Sequence, residues 1–197
     1  MRGDDAVRRP IRIAAYDLAL GRTGVAGVTG PLHSLEPRHG SDEPDLRLLW
    51  FFRQFCRHLI RERPSIVVAE GPAFGVPGKK TVYALGQLNA SLRIAAAELG
   101  ALFVEIPPSS LKLYATGNGK ASKEEMMAAA EDIGLLPANN DEADAGLLRA
   151  MTRDAYSNTI TVRGFVAAQE AISNLDWPPL VLPGRGDDRP RKAGRPA

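Results

Sequence analysis

The chain has 197 residues, 44% of them hydrophobic and 24% charged, which is the make-up of a globular domain of ordinary size and excludes a disordered tail protein, a collagen-like repeat or a coiled coil. A formal net charge of +2 is too small to name a partner by itself, and the single cysteine, Cys56, cannot form an internal disulfide. No apolar run approaches the ~18 residues of a membrane span and MRGDDAVRRP is no signal peptide, so the expectation is a soluble intracellular protein without a membrane partner.

In chain order, residues 1–10 are charged and expected to be loose. Ile11–Tyr16 (IRIAAY) reads as a strand, Val25–Thr29 as a second and His33–Pro37 as a weaker third. From Asp45 to Arg63 the apolar residues Leu48, Phe52, Phe55 and Leu59 fall at helical spacing, flanked by Leu49, Cys56 and Ile60, and Pro64 ends the helix. Ser65–Ala69 (SIVVA) is a buried strand, GPAFGVPGKK a loop, and Thr81–Leu99 a long helix. Ala101–Ile106 is a strand stopped by Pro107 and Pro108. Ser122 and Glu125 form a capping box for a helix running to Gly134. A further helix spans Asp141 to about Asp154, and residues 158–175 read as helical. The folded part is expected over residues 11–180. From Pro183 the tail PGRGDDRPRKAGRPA carries five basic against two acidic residues and cannot bury enough surface to offset its ordering entropy. Early strands in a meander and later strands separated by helices require parallel crossovers. The fold class is α/β, a mixed sheet with helices on both faces.

Two acids close two strands: Asp17 follows the first and Glu70 the fourth. On parallel neighbours both would leave the same sheet edge, where open α/β sheets bind ligands. Asp141 and Asp144, three apart, open a late helix on one of its faces. Four converging carboxylates repel one another unless a cation compensates, and an all-oxygen set suits Mg²⁺ or Mn²⁺. Two such ions suit phosphodiester hydrolysis, so the pattern points to a metal-dependent nuclease. Each acid also has a structural reading: Asp17 as a turn residue, Glu70 as a solvated strand end, Asp141 as an N-cap and Asp144 as a partner of the helix dipole. His33, His39 and His58 show no ligand spacing.

The segments YDLALGRTGVA, VVAEGPAF, ALGQLNASL, LKLYATGNGKASKEEM and LPANNDEADAGLLRAM, spread between Ile11 and Thr152, resemble in order and spacing the motifs of the RuvC family of Holliday junction resolvases, which also has small phage versions. The resemblance implies a ribonuclease H-like fold with a mixed five-stranded sheet. It implies a catalytic, metal-binding set of Asp17, Glu70, Asp141 and Asp144 holding two Mg²⁺ ions, with Mn²⁺ able to substitute. It matches Lys112 and Lys123 to lysines that hold the DNA backbone, Lys123 also offsetting transition-state charge, and places Lys120 in the same DNA-binding segment. The family's base-stacking aromatic finds its counterpart in Phe74, one position late, and Lys79 and Lys80 share that loop and can meet phosphates. Branched DNA as substrate, a homodimer with the helix from Thr81 as its contact, and the cytoplasm of a bacterium or phage-infected host follow from the same resemblance. The rival readings are a flap or fork endonuclease, a non-catalytic junction binder of the same fold, and an actin-like phosphate loop over Asp17–Gly24, for which the chain is too short.

Overall fold

The computed structural model describes residues 11–37, 43–71, 79–157 and 159–180. Phe74, His39, the side chain of Lys79 and both termini lie outside them. Five strands, β1 (Ile13–Asp17), β2 (Thr23–Ala26), β3 (His33–Leu35), β4 (Ile66–Glu70) and β5 (Leu102–Ile106), form one sheet in the order β3-β2-β1-β4-β5. β1, β2 and β3 are an antiparallel meander, whereas β1, β4 and β5 run parallel. The crossovers are α1 (Pro44–Glu62) and α2 (Lys79–Glu98). After β5 come α3 (Pro108–Thr116), α4 (Lys123–Asp132), α5 (Asn140–Ser157) and α6 (Phe165–Ser173).

Alternation along the strands sorts the core into two layers. Ala14, Tyr16, Val67 and Ala69 face Phe51, Phe55 and Leu59 of α1 and Leu88, Leu92 and Ala95 of α2. Ile13, Ala15, Ile66 and Val68 face the other way, onto Leu111 and Tyr114 of α3, Met126 of α4 and Leu147, Leu148 and Met151 of α5. Asp17 and Glu70 continue the second parity, so both point toward the α5 layer. The last turn of α5 is tied down by Asp154, which is buried and accepts from the Tyr114 hydroxyl at 2.7 Å, the Thr161 N–H at 2.6 Å and the Thr161 hydroxyl at 2.7 Å.

Several sequence expectations need correction. Pro107 and Pro108 end β5 but also start α3: Pro107 is its extended N-cap and Pro108 its first residue, where a missing N–H costs nothing. The segment after these prolines, to which the sequence pattern assigns no element, is therefore a helix, closed by Gly117 at φ 79°. β2 begins two residues earlier than expected and ends at Ala26, and residues 158–175 are helical only over Phe165–Ser173, because the preceding segment is spent on Asp154. Lys79 and Lys80 are not in a loop; they form the first turn of α2. The buried stripe of α1 is Phe51, Phe55, His58, Leu59 and Glu62. Leu48 and Phe52 are half-buried, and Leu49 and Ile60 exposed, so the helix is rotated toward its polar residues. His58 is held there by the Tyr16 hydroxyl, 2.5 Å from its Nδ1, and Glu62 by the Thr29 N–H and hydroxyl.

Candidate active site

Asp17 and Glu70 are the last residues of adjacent parallel strands, in register through the Tyr16–Ala69 pair. They leave the sheet side by side, close enough that each carboxyl acts on the other's ionisation. Opposite Asp17 on β2 stands Gly24. A Cβ there would lie 1.9 Å from the Asp141 carbonyl oxygen and 2.2 Å from its carbon. Glycine thus lets the start of α5 sit against β2, which brings Asp141 and Asp144 to the strand acids.

The α5 N-terminus is capped by Asn139, whose Oδ1 accepts the Glu142 N–H at 3.1 Å. Glu142 reaches back to the Ala138 N–H at 2.8 Å and accepts from Ser34 of β3 at 2.7 Å. The N-cap role weighed for Asp141 therefore belongs to Asn139, and the acid is left for other work. Asp141 is engaged by Arg22, whose Nε donates to Oδ2 at 2.6 Å. Sequence reasoning misses Arg22, Asn139 and Glu142; Arg22 lies within YDLALGRTGVA, and Asn139–Glu142 has the N-cap/N3 spacing of a capping box.

Burial raises the pKa of Asp17 well above the carboxylate range, and the charges of Glu70, Asp144 and Asp141 add to it. Burial, then Asp144, pushes Glu70 up to about 7. Burial, then Asp141, pushes Asp144 up to about 6. Lys112 opposes the rise at Glu70 and Asp144, and Lys123 opposes it at Asp144, which places both ammonium groups within electrostatic reach of the acids. Lys123 opens α4 behind a complete capping box, where backbone N–H groups favour anions. Lys120 is exposed, its N–H donating to the Asn118 side chain. Lys80 is exposed on α2.

Among the described residues no three His, Cys, Asp or Glu side chains already form a ligand cage. The donor chemistry nonetheless fits a hard divalent ion. Oδ1 of Asp144 is buried with no hydrogen-bond partner, which leaves a lone pair to fill, and burial together with the neighbouring carboxylates raises Asp17, Glu70 and Asp144, an arrangement that a cation among them would relieve.

The sheet order, with acids ending its two central parallel strands and a helix delivering two more, is that of a ribonuclease H-like fold. Thermus thermophilus RuvC superposes with a TM-score of 0.61 at 22% identity, and the same protein in complex with a Holliday junction substrate with 0.62 at 25%; both alignments cover 76% of this chain and 98% of that one. In sequence, the chain is 36% identical over 88 residues to the crossover junction endodeoxyribonuclease RuvC of Anaeromyxobacter dehalogenans strain 2CP-C, covering 44% of this chain and 47% of the relative. It is 29% identical over 136 residues to that of Dehalococcoides mccartyi, covering 68% and 77%. The chain spans about half the length of the first of these relatives, 47%. No protein-family model matches it. In sequence and in fold the chain is RuvC-like.

Proposed function

We propose that the chain is a divalent-metal-dependent endonuclease that nicks branched DNA, four-way junctions above all, as a homodimer in the cytoplasm of a bacterium or phage-infected host. The observation that carries this reading is the convergence of Asp17, Glu70 and Asp144 on one sheet edge with an unpartnered buried oxygen on Asp144. The relatives named as crossover junction endodeoxyribonucleases, and the structural neighbour bound to a Holliday junction, support the choice of substrate.

Asp17, Glu70, Asp141 and Asp144 would hold two Mg²⁺ or Mn²⁺ ions. Such ions supply Lewis acidity toward a water and a phosphate oxygen. The chain's own part is to position. Glu70 and Asp144 lose their protons near neutral pH, which would free their oxygens to hold the ions. Lys112 favours their ionised forms. Lys123 and the α4 N-terminus receive the scissile phosphate and offset the charge that grows on it. Lys120, Lys79 and Lys80 meet the flanking backbone, Phe74 stacks on an unpaired base, and the basic tail adds sequence-independent affinity. For the homodimer, α2 offers exposed Val82, Tyr83 and Ile94.

A cleavage panel tests this reading: four-way junction, flap, fork, duplex and RNA–DNA hybrid, in Mg²⁺, Mn²⁺ and EDTA. Metal-dependent nicking of the four-way junction, abolished by Asp144→Asn with DNA binding retained, is the expected result. Binding without cutting of any branched substrate would make the chain a non-catalytic junction binder.

A further inference from the structure

Helix α1 is divided lengthwise. At 3.6 residues per turn, Phe51, Phe55, His58, Leu59 and Glu62 gather at the pole packed on the sheet, and all are buried. Arg53 and Arg57, at i and i+4, stand on the opposite pole, Arg61 follows at i+8 on the flank, and all three are exposed. Arg63, exposed, follows at the C-cap.

Part of this charge has a local explanation. Arg61 pairs with Glu62 at 3.1 Å, and Arg61 and Arg63 stand beside the last carbonyls of the helix, where a cation complements the dipole. Arg53 and Arg57 lie before the last turn and form no ion pair among the described residues. Their neighbours along the stripe are Leu49, Trp50, Gln54, Cys56 and Ile60, none of them acidic. From α2 the acid whose charge reaches α1 is Glu98, acting on Cys56. Two successive like-charged i, i+4 pairs oppose the helix that carries them. The concentration is also selective, because residues 11–180 hold 17 Lys and Arg against 19 Asp and Glu.

A repeated, unpaired, forked cation facing solvent fits a polyanion. We propose that the outer face of α1, centred on Arg53 and Arg57, is a second DNA-backbone contact that grips a duplex arm on the layer of the protein opposite the acids. This rests on the reading of the chain as a DNA-acting protein. The two backbone positions are spaced by about 6 Å of helix rise, close to two axial phosphate steps of about 3.4 Å on one strand. Arginine presents the planar fork that pairs with phosphate through two hydrogen bonds.

The test measures binding of the full chain carrying Asp144→Asn, so that nothing is cut, to a plain duplex and to a four-way junction by fluorescence anisotropy across a salt series. Arg53→Gln/Arg57→Gln should reduce the slope of log K against log salt by about 2, near 0.9 for each phosphate no longer neutralised. Arg53→Lys/Arg57→Lys should keep the slope. Arg153→Gln/Arg163→Gln, which removes the same charge elsewhere, should leave it unchanged, and thermal melts confirm that each variant is folded. An unchanged slope in the first variant, or an equal fall in the third, overturns the proposal and leaves the stripe to an acidic protein surface or to solvent. Failure of the nuclease reading is separate: it would appear as absent cleavage by the unaltered chain, whatever the salt slopes show.

Discussion

The Nε of Arg22 donates to the Oδ2 of Asp141 at 2.6 Å, joining positions 119 residues apart. The bond occupies one carboxylate oxygen and leaves the other, so Arg22 fixes how Asp141 faces the remaining acids. Partners that orient a ligand in this way are typically worth 10- to 100-fold in metal affinity or activity. Arg22→Ala should slow cleavage by about 10-fold or more at saturating DNA and Mg²⁺, read in single turnover. The melting temperature should barely move, because a partly exposed ion pair contributes little. Arg22→Lys, a point charge without the fork, should fall between.

Gly24 is the position where a single methyl group should do most harm. The atoms that a Cβ would strike are backbone atoms of Asp141 and Glu142, which cannot rotate away as a side chain can. Gly24→Ala should cost about 1–3 kcal/mol by forcing the start of α5 outward. Because a misplacement of about 1 Å at a reacting centre can cost 10²-fold, cleavage should fall more than stability does. Urea unfolding and single-turnover rates on the same preparation check this.

The acids also fix how stability depends on pH. Burial and mutual repulsion raise Glu70 to about 7 and Asp144 to about 6, so the folded chain binds these protons more tightly than the unfolded chain does. The sign follows: their contribution is fully present below about pH 4 and is lost as the pH rises through 6 and 7. In EDTA the melting temperature should therefore fall between pH 5 and 7.5. Millimolar Mg²⁺ should restore it at pH 7.5 and do little at pH 5, where protons occupy the same oxygens. Asp144→Asn should flatten the slope and weaken the response to Mg²⁺. Scanning calorimetry over this range reads all three, and a flat profile in EDTA would contradict the repulsion.

Lys112 works against that rise at both Glu70 and Asp144. Lys112→Ala should move the ionisation of the acids to higher pH, visible as a shift of the acidic limb of the pH–rate profile and in carboxyl NMR titration. Loss of phosphate binding alone would weaken the hold on DNA and leave that limb in place.

Legible in the sequence is whatever depends on local pattern. Asp17 and Glu70 each close an apolar run, and the parallel register that makes them neighbours follows from the helix between their strands. The Ser122–Glu125 box fixes the start of α4 through two adjacent hydrogen bonds. What stays hidden depends on distant partners. Nothing near Arg22 announces Asp141, and nothing around Gly24 says that a carbonyl will fill the space of its missing side chain. α3 is concealed because two prolines end a strand as well as they begin a helix. The face that α1 turns inward is hard to read because His58 and Glu62 look like surface residues until Tyr16 and Thr29 supply their hydrogen bonds.

The bond from Tyr114 to Asp154 sits far from the acids, yet it joins the two elements whose spacing sets their charge. Tyr114 is two residues beyond Lys112 on α3, and Asp154 is on the helix that begins beside Asp141. The bond is buried at both ends, so it ties the two helices together inside the core. The backbone that carries Lys112 is thus seated against the helix that carries Asp144 by the folded core itself, before any nucleic acid arrives.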